Sequence, residues 1–152
     1  MLTAGTPAPD FELRNQQNQP VRLSSFRGRQ NVVVAFHPLA FTPVCATQMT
    51  NYQSELPAFD AADTVVLGIS VDAQPAKSAW ARELGAIDFD LLSDFHPHGE
   101  VARRFGVLRE PDGISERAVF LVDKAGKVAW AKVYAIPEQP PIADLMSVVQ
   151  GL

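Results

Sequence analysis

The chain has 152 residues, of which 47% are hydrophobic and 20% are charged, and its formal net charge is −4. This length and apolar content predict one globular domain over residues 1–152 whose core needs no disulfide or metal. The 17 acidic residues outnumber the 13 basic ones, and no basic patch of the kind that binds nucleic acid or an anionic membrane is present. We therefore expect small molecules or proteins as partners, and neither nucleic acid nor membrane.

Cys45 is the only cysteine of the chain, so no internal disulfide can form. The first residues lack a basic segment leading into an apolar signal core. No uncharged apolar stretch approaches the roughly 20 residues that cross a bilayer. These features favour a reducing, cytoplasmic location.

The first part of the chain predicts a hairpin followed by a buried strand. Residues 11–14 and 21–23 alternate apolar and polar side chains on either side of a polar turn, which is typical of a β-hairpin. After a short turn or helical turn over residues 24–29, the continuous apolar segment 31–36 predicts a buried strand.

A helix is predicted shortly after this strand. Thr42 and Pro43 are typical of an N-cap followed by proline at the first helical position, where its missing N–H costs nothing. The helix is expected to end at residue 55 or 56, because Pro57 disfavours helical geometry in the residue before it. Cys45 then lies in the first turn, where free N–H groups and the helix dipole favour an anion, so a thiolate is expected to form readily.

The rest of the chain alternates strands and helices. The predicted elements are a central strand at 65–71, a helix at 75–84 that carries Trp80, a short strand or turn at 91–94, a helix at 99–105, a hairpin of strands 117–123 and 127–133, and a last helix at about 142–150. This order predicts an α/β protein with a central mixed β-sheet flanked by helices and an N-terminal β-hairpin extension. It is compatible with a thioredoxin-like fold, which does not by itself give a function.

Arg117 is predicted to lie near Cys45. It begins a strand that could lie next to the strand ending at Phe36, which would bring its guanidinium beside the start of the helix. Arginine is always charged and presents several donors to a thiolate or a bound oxygen anion. Thr42 adds a hydroxyl on the same side, and Pro38 closes the loop and could exclude water.

Pro38, Thr42 and Cys45 form the motif P-x-x-x-T-x-x-C, which is similar to the motif of the peroxiredoxin family. The chain looks most like the one-cysteine, alkyl hydroperoxide reductase E subgroup, because it is short and contains the run F-x-P-L-A-F-T. The likeness extends to further segments, namely Ala8-Pro-Asp-Phe11, Ser70-Val-Asp72 followed by Trp80, Leu91-Leu-Ser-Asp94 and Arg117-Ala-Val-Phe-Leu-Val-Asp123.

The resemblance implies a thiol-dependent peroxidase without metal or organic cofactor. Cys45 would attack the terminal peroxide oxygen and become a sulfenic acid, releasing water or an alcohol. Thr42 and Arg117, with the N–H groups of Val44 and Cys45, would hold the peroxide oxygens and stabilise the charge that develops. Pro38 would shield the sulfur and limit over-oxidation.

The implied substrates are hydrogen peroxide and organic hydroperoxides, with peroxynitrite as a further candidate. Three apolar residues of the active-site loop and helix start either pack the loop or present an apolar wall to an organic hydroperoxide: Leu39, Phe41 and Val44. Thr50 stands where one peroxiredoxin subgroup has its resolving cysteine, so the reductant must be an external thiol. A low-molecular-weight thiol, thioredoxin, glutaredoxin or mycoredoxin would serve, and a homodimer is expected from the resemblance.

Two positions depart from the family pattern. Gln48 stands where many relatives carry Glu three residues after the nucleophile, and His37 replaces a common aromatic residue.

Two other functions stay open at this point. In a binding or chaperone module Cys45 would only pack in the core, and a disulfide oxidoreductase would need the Cys-x-x-Cys pair that this chain lacks.

Overall fold

The computed structural model describes residues 1–152 and is built around a seven-stranded sheet. The strands, in chain order, are β1 (Glu12–Arg14), β2 (Pro20–Arg22), β3 (Asn31–Phe36), β4 (Thr64–Ser70), β5 (Asp90–Ser93), β6 (Leu108–Arg109), β7 (Ile114–Ser115), β8 (Arg117–Val122) and β9 (Val128–Tyr134). The central sheet has the order β2-β1-β5-β4-β3-β8-β9, and β6 pairs with β7 in a separate two-stranded sheet.

The structure also has five α-helices and one short 3-10 helix. They are the 3-10 helix Leu23–Phe26, α1 (Pro43–Ser54), α2 (Leu56–Ala61), α3 (Gln74–Leu84), α4 (Glu100–Arg104) and α5 (Ile142–Gln150). α1 and α2 lie between the parallel strands β3 and β4, and α3 lies between the parallel strands β4 and β5. These are the crossover connections that parallel strands require. No helix of the structure is both long and apolar enough to span a membrane.

β3 is an inner strand that joins the two halves of the sheet. It pairs in parallel with β4 and antiparallel with β8, so the sheet is mixed. All residues of β3 and β8 are buried, in keeping with their β-branched and aromatic composition. The predicted α/β, thioredoxin-like architecture with an N-terminal hairpin is confirmed, including the neighbourhood of β3, β4 and β8.

Alternating side chains of β3 face two separate cores, one on each side of the sheet. Val34 and Phe36 belong to the first, where Phe105 from the segment after α4 lies 5.3 Å from the ring of Phe36. Val33 and Ala35 belong to the second, whose helical contributions come from α1, α2, α3 and α5. Cys45 lies in this second core, so its surroundings are set by these helices.

Two features differ from the sequence-based expectation. α1 ends at Ser54, and a second helix, α2, starts at Leu56 with Pro57 in its first turn. Proline ends the first helix as expected, but its fixed φ also suits the start of a new one. The β6–β7 pair was not predicted, because two-residue strands are too short to show an alternating pattern.

Candidate active site

Cys45 is the third residue of α1 and is completely buried. Thr42 is the N-cap residue in extended conformation, and its carbonyl accepts from Ala46 N–H at 2.9 Å. The N–H groups of Val44 and Cys45 donate to no other group of the protein. The first turn of the helix therefore presents two unused donors next to the sulfur, at the end of the helix dipole that favours negative charge.

The pairing of β3 with β8 brings Arg117 to this helix start. Phe36 at the end of β3 lies opposite Ala118, so Arg117 at the first position of β8 comes level with the loop that follows β3. Arg117 Nη1 donates to Cys45 Sγ at 3.3 Å. Its Nε and Nη2 donate to the carbonyl oxygen of Ile136 at 3.0 and 2.7 Å, which fixes the plane of the guanidinium.

The charge of Arg117 is not neutralised by a carboxylate. It takes part in none of the seven salt bridges, and its second Nη1 partner is the amide oxygen of Gln48 at 2.9 Å. Gln48 Nε2 in turn donates to Tyr52 Oη at 2.9 Å. Burial raises the pKa of Tyr52 to about 12, so this acceptor is a neutral phenol. Cys45 is therefore the one ionisable group hydrogen-bonded to the buried guanidinium.

Thr42 and Pro38 belong to the loop between β3 and α1. Pro38 is buried. Thr42 makes no side-chain cap hydrogen bond; its hydroxyl donates instead to the carbonyl oxygen of Leu39 at 2.7 Å. The expected cap thus holds in backbone position but not through the side chain. Because the hydroxyl proton is used within the loop, the Thr42 oxygen can still act as an acceptor.

The three apolar residues predicted to contact substrate lie in the loop and the first helical turn around Thr42. Leu39 is 37% and Phe41 54% exposed, and Val44 is half-buried. Phe41 has a φ of 64°, which is uncommon for a large side chain, and its ring lies 6.4 Å from that of Trp80. The loop conformation thus leaves a large apolar side chain exposed one residue before Thr42.

Several residues around the site were not singled out by sequence reasoning. With its amide orientation assigned from its hydrogen-bonding partners, Gln139 donates to Val44 O at 3.3 Å and accepts from Gln48 N–H at 3.2 Å. Lys77 is completely buried on α3 and contacts His37. A lysine among apolar helix positions gives no sequence signal of burial, because lysine is ordinarily exposed. No cluster of three or more His, Cys, Asp or Glu side chains is arranged to hold a metal ion.

This geometry defines a class of protein, a thiol-based redox protein with a thioredoxin-like fold. A buried cysteine at a helix start contacts an arginine that has no carboxylate partner. A guanidinium in this position can stabilise negative charge that develops on an oxygen beside the sulfur.

Comparisons with known proteins specify the class further. The model of the AhpC/TSA family matches residues 4–131. The chain is 43% identical over 133 residues to alkyl hydroperoxide reductase E of Mycobacterium tuberculosis, covering 88% of this chain and 86% of that one. It is 33% identical over 153 residues to peroxiredoxin 2 of Thermoplasma acidophilum, covering 97% of this chain and 75% of that one.

Solved structures agree with this assignment. Peroxidoxin BcpB from Mycobacterium tuberculosis matches with a TM-score of 0.88 and 27% identity, over 100% of this chain and 99% of that one. Reduced 2-Cys peroxiredoxin of Plasmodium vivax matches with a TM-score of 0.91 and 28% identity, over 99% of this chain and 81% of that one. The chain belongs to the AhpC/TSA family of peroxiredoxins, which are thiol-dependent peroxidases, and the predicted likeness to the alkyl hydroperoxide reductase E subgroup is confirmed.

Proposed function

We propose that Cys45 is the nucleophile of a one-cysteine peroxidase. The observation that carries this proposal is the 3.3 Å contact between its sulfur and the guanidinium of Arg117, which no carboxylate neutralises. A positive charge held next to a thiol favours the thiolate, which is the reactive form. The two free N–H groups at the start of α1 act in the same direction.

In the proposed reaction the Cys45 thiolate attacks the terminal oxygen of a hydroperoxide. An S–O bond forms, the O–O bond breaks, and the sulfur is oxidised to sulfenic acid. The terminal oxygen keeps its proton, and the other oxygen leaves as hydroxide or alkoxide and takes up a proton from solvent. Arg117 would stabilise the charge that moves from sulfur to the leaving oxygen.

Thr42 and Pro38 are proposed to orient the peroxide. The Thr42 hydroxyl already donates to Leu39 O, so it would accept a hydrogen bond from the peroxide O–H. This interaction would turn the other peroxide oxygen towards Arg117 and the N–H groups of Val44 and Cys45. Pro38 is buried against the loop and would restrict access of a second peroxide molecule to the oxidised sulfur.

The cycle would be completed by an external thiol. Because the chain has no second cysteine, the sulfenic acid condenses with an incoming thiol, giving a mixed disulfide and water. A second thiolate then attacks this disulfide and releases Cys45, so that two thiols are oxidised for each peroxide reduced. A low-molecular-weight thiol, a thioredoxin, a glutaredoxin or a mycoredoxin could supply these electrons. The need for thiols fits a reducing compartment such as the cytoplasm.

Hydrogen peroxide and organic hydroperoxides are the proposed substrates, with peroxynitrite as a further candidate. Leu39, Phe41 and Val44 support an organic substrate, because they place partly exposed apolar surface in the loop and helix start that hold Thr42 and Cys45. The same exposed loop, together with Phe95, which is 53% exposed, supports pairing of two copies into a homodimer. Sedimentation of the purified protein tests the dimer.

Stopped-flow mixing of reduced protein with peroxide tests the activity. Tryptophan fluorescence should change on oxidation, because Trp80 lies in the same core as Cys45. The Cys45→Ser variant should show no such phase and no peroxide turnover with any thiol donor. Unchanged turnover in that variant would overturn the proposed function, and the donor that best restores the oxidised protein identifies the class of reductant.

A further inference from the structure

Lys77 is a buried cation that the proposed reaction leaves unused. Its side chain has no solvent exposure, and none of the salt bridges of the structure involves it. Burying an amine without a direct ion pair is costly, and most lysines avoid it. The position of Lys77 therefore calls for an explanation in terms of the groups that it contacts.

One branch of its contacts leads to the active-site loop. Lys77 Nζ donates to Ser70 Oγ at 2.8 Å, and Ser70 Oγ donates to Asp72 Oδ2 at 2.6 Å. The same carboxylate oxygen accepts from the backbone N–H of Ala40 at 2.8 Å. Ala40 lies between Pro38 and Thr42, so this chain of hydrogen bonds links α3 and the end of β4 to the middle of the loop.

The second branch leads to His37, directly before Pro38. Lys77 Nζ lies 2.8 Å from His37 Nε2, and the other ring nitrogen, Nδ1, is buried without a partner. The imidazole packs against Trp80 with ring centroids 5.1 Å apart. Lys77 thus holds the loop from both sides, through His37 before Pro38 and through Asp72 at Ala40.

Lys77 Nζ and His37 Nε2 are only 2.8 Å apart, so the amine and the imidazole are not both protonated. Burial lowers the pKa of His37 well below its usual range, and the positive charges of Lys77 and Arg117 lower it further. His37 is therefore neutral, and its Nε2 accepts from protonated Lys77. If Lys77 loses its proton, the pair can reverse, with His37 Nε2 donating to the neutral amine.

The charges that affect the protonation of Lys77 include Cys45. Burial lowers the pKa of Lys77 to about 7, while the nearby charges of Asp72 and Cys45 raise it. The effect of Cys45 is reciprocal: if the thiolate favours protonated Lys77, protonated Lys77 favours the thiolate. Arg117, on β8, contacts the same sulfur directly.

We propose that Lys77 is a positioning residue of the peroxidase site, which in its protonated form fixes the loop carrying Pro38 and Thr42 and favours the Cys45 thiolate. The inference rests on the proposed role of Cys45 as nucleophile. Lys77 contacts neither the sulfur nor the peroxide; it acts through Ser70, Asp72 and His37. Its deprotonation as the pH rises removes the positive charge that favours the thiolate and reverses the donor and acceptor roles in the His37 contact, so the peroxide reaction slows at alkaline pH.

The test compares the full-length protein with Lys77→Met and His37→Phe. Lys77→Met removes the proton site and keeps an unbranched side chain in the pocket. His37→Phe removes the Nε2 acceptor and keeps a ring against Trp80. Lys127→Met, at an exposed position in the β8–β9 turn, is the matched control for loss of a lysine. Each protein is mixed with hydrogen peroxide over a pH series, and the thiolate is titrated separately by its ultraviolet absorbance.

The unsubstituted protein and Lys127→Met should show a bell-shaped profile, whose rising limb reports Cys45 and whose falling limb, near neutral pH, reports Lys77. Lys77→Met should lose the falling limb. At the pH where the unsubstituted protein reacts fastest, it should react about tenfold more slowly, a coupling of the size typical between linked sites. Its thiol should also titrate at higher pH. His37→Phe should move the falling limb to lower pH, because protonated Lys77 loses an acceptor.

Failure of this inference and failure of the proposed function give different results. If Cys45 of the unsubstituted protein is oxidised, but Lys77→Met has the same pH profile and thiol titration, Lys77 has no positioning role. If Lys77→Met does not fold, an unmoved falling limb in His37→Phe has the same meaning. If the unsubstituted protein shows no oxidation of Cys45, the proposed function itself is wrong.

Discussion

Arg117 Nη1 and Cys45 Sγ lie 3.3 Å apart although 72 residues separate them in the chain. The contact depends on the antiparallel pairing of β3 with β8 and on the carbonyl of Ile136, which holds the guanidinium plane. A buried cation next to a thiol, with only neutral groups as its other partners, has its charge available to the sulfur.

Replacing Arg117 with alanine should slow oxidation of Cys45 by about 100-fold to 1,000-fold, the usual effect of removing a donor that stabilises transition-state charge. The second-order rate constant from stopped-flow fluorescence measures this. Arg103→Ala is the matched control, because it removes an exposed arginine paired with Glu110, and it should react at the unsubstituted rate. Equal rates for Arg117→Ala and the control would contradict the role given to the guanidinium.

The substitution Gln48→Glu should reduce the fraction of thiolate at neutral pH. A carboxylate at the position of Gln48 Oε1, which accepts from Arg117 at 2.9 Å, would share the positive charge now directed to Cys45. The ultraviolet titration of the thiolate should therefore move to higher pH. Thr47→Glu adds the same charge at an exposed position of the same helix and should move it much less. A titration of Gln48→Glu that is unchanged, or moved to lower pH, would argue against this electrostatic reasoning.

Thr42→Val should lower the rate of peroxide oxidation by roughly 10-fold to 100-fold, whereas Thr42→Ser should retain most of it. Valine has nearly the shape of threonine but cannot donate to Leu39 O or accept from a peroxide. The peroxide concentration dependence, measured by stopped flow, would show the loss. Equal rates for the valine and serine variants would mean that the hydroxyl takes no part in the reaction.

The stability of the fold should depend on pH through Lys77. Burial lowers its pKa from 10.5 to about 7 in the folded protein, so between these values the unfolded chain binds more protons. The free energy of unfolding must therefore rise with pH across that window. Below pH 7 Lys77 is protonated in both states, so the full cost of burying its charge opposes folding. The free energy of unfolding of Lys77→Met minus that of the unsubstituted protein should fall as the pH rises through this window, by at most about 1.4 kcal/mol per pH unit.

Chemical denaturation of both proteins over a pH series measures this difference, and subtracting the two curves removes the titration of shared groups. Lys77→Met should be the more stable protein at acidic pH, since an apolar side chain replaces a buried charge. A difference that stays constant with pH would show that Lys77 keeps an ordinary proton affinity in the folded state.

The sequence predicted the elements whose patterns are long or chemically marked. The apolar segment 31–36 and the pair Thr42–Pro43 defined β3 and the start of α1, and the hairpin of β8 and β9 followed from its alternation and turn. The position of Arg117 at the first residue of β8 could be anticipated because neighbouring strands of a sheet share an edge. These are local or sheet-level patterns, which a single sequence records directly.

Features that arise from tertiary packing could not be predicted in this way. The burial of Lys77 depends on contacts with Ser70 and His37 that come together only when α3 covers the sheet. The hydroxyl of Thr42 has two possible local uses, and the loop conformation selects the bond to Leu39 O over the helix cap. Side-chain amides such as Gln139 have no pattern that reveals a distant backbone partner.

The most direct test of the proposed function is the identification of the oxidised atom. Reduced protein is mixed with one equivalent of hydrogen peroxide, the product is trapped with a reagent specific for sulfenic acids, and the peptide containing Cys45 is analysed by mass spectrometry. We predict that one peroxide is consumed per chain, that Cys45 carries the trapped adduct, and that Cys45→Ser neither consumes peroxide nor forms an adduct. Peroxide consumption with Cys45 recovered as an unmodified thiol would contradict the role of Cys45 as nucleophile.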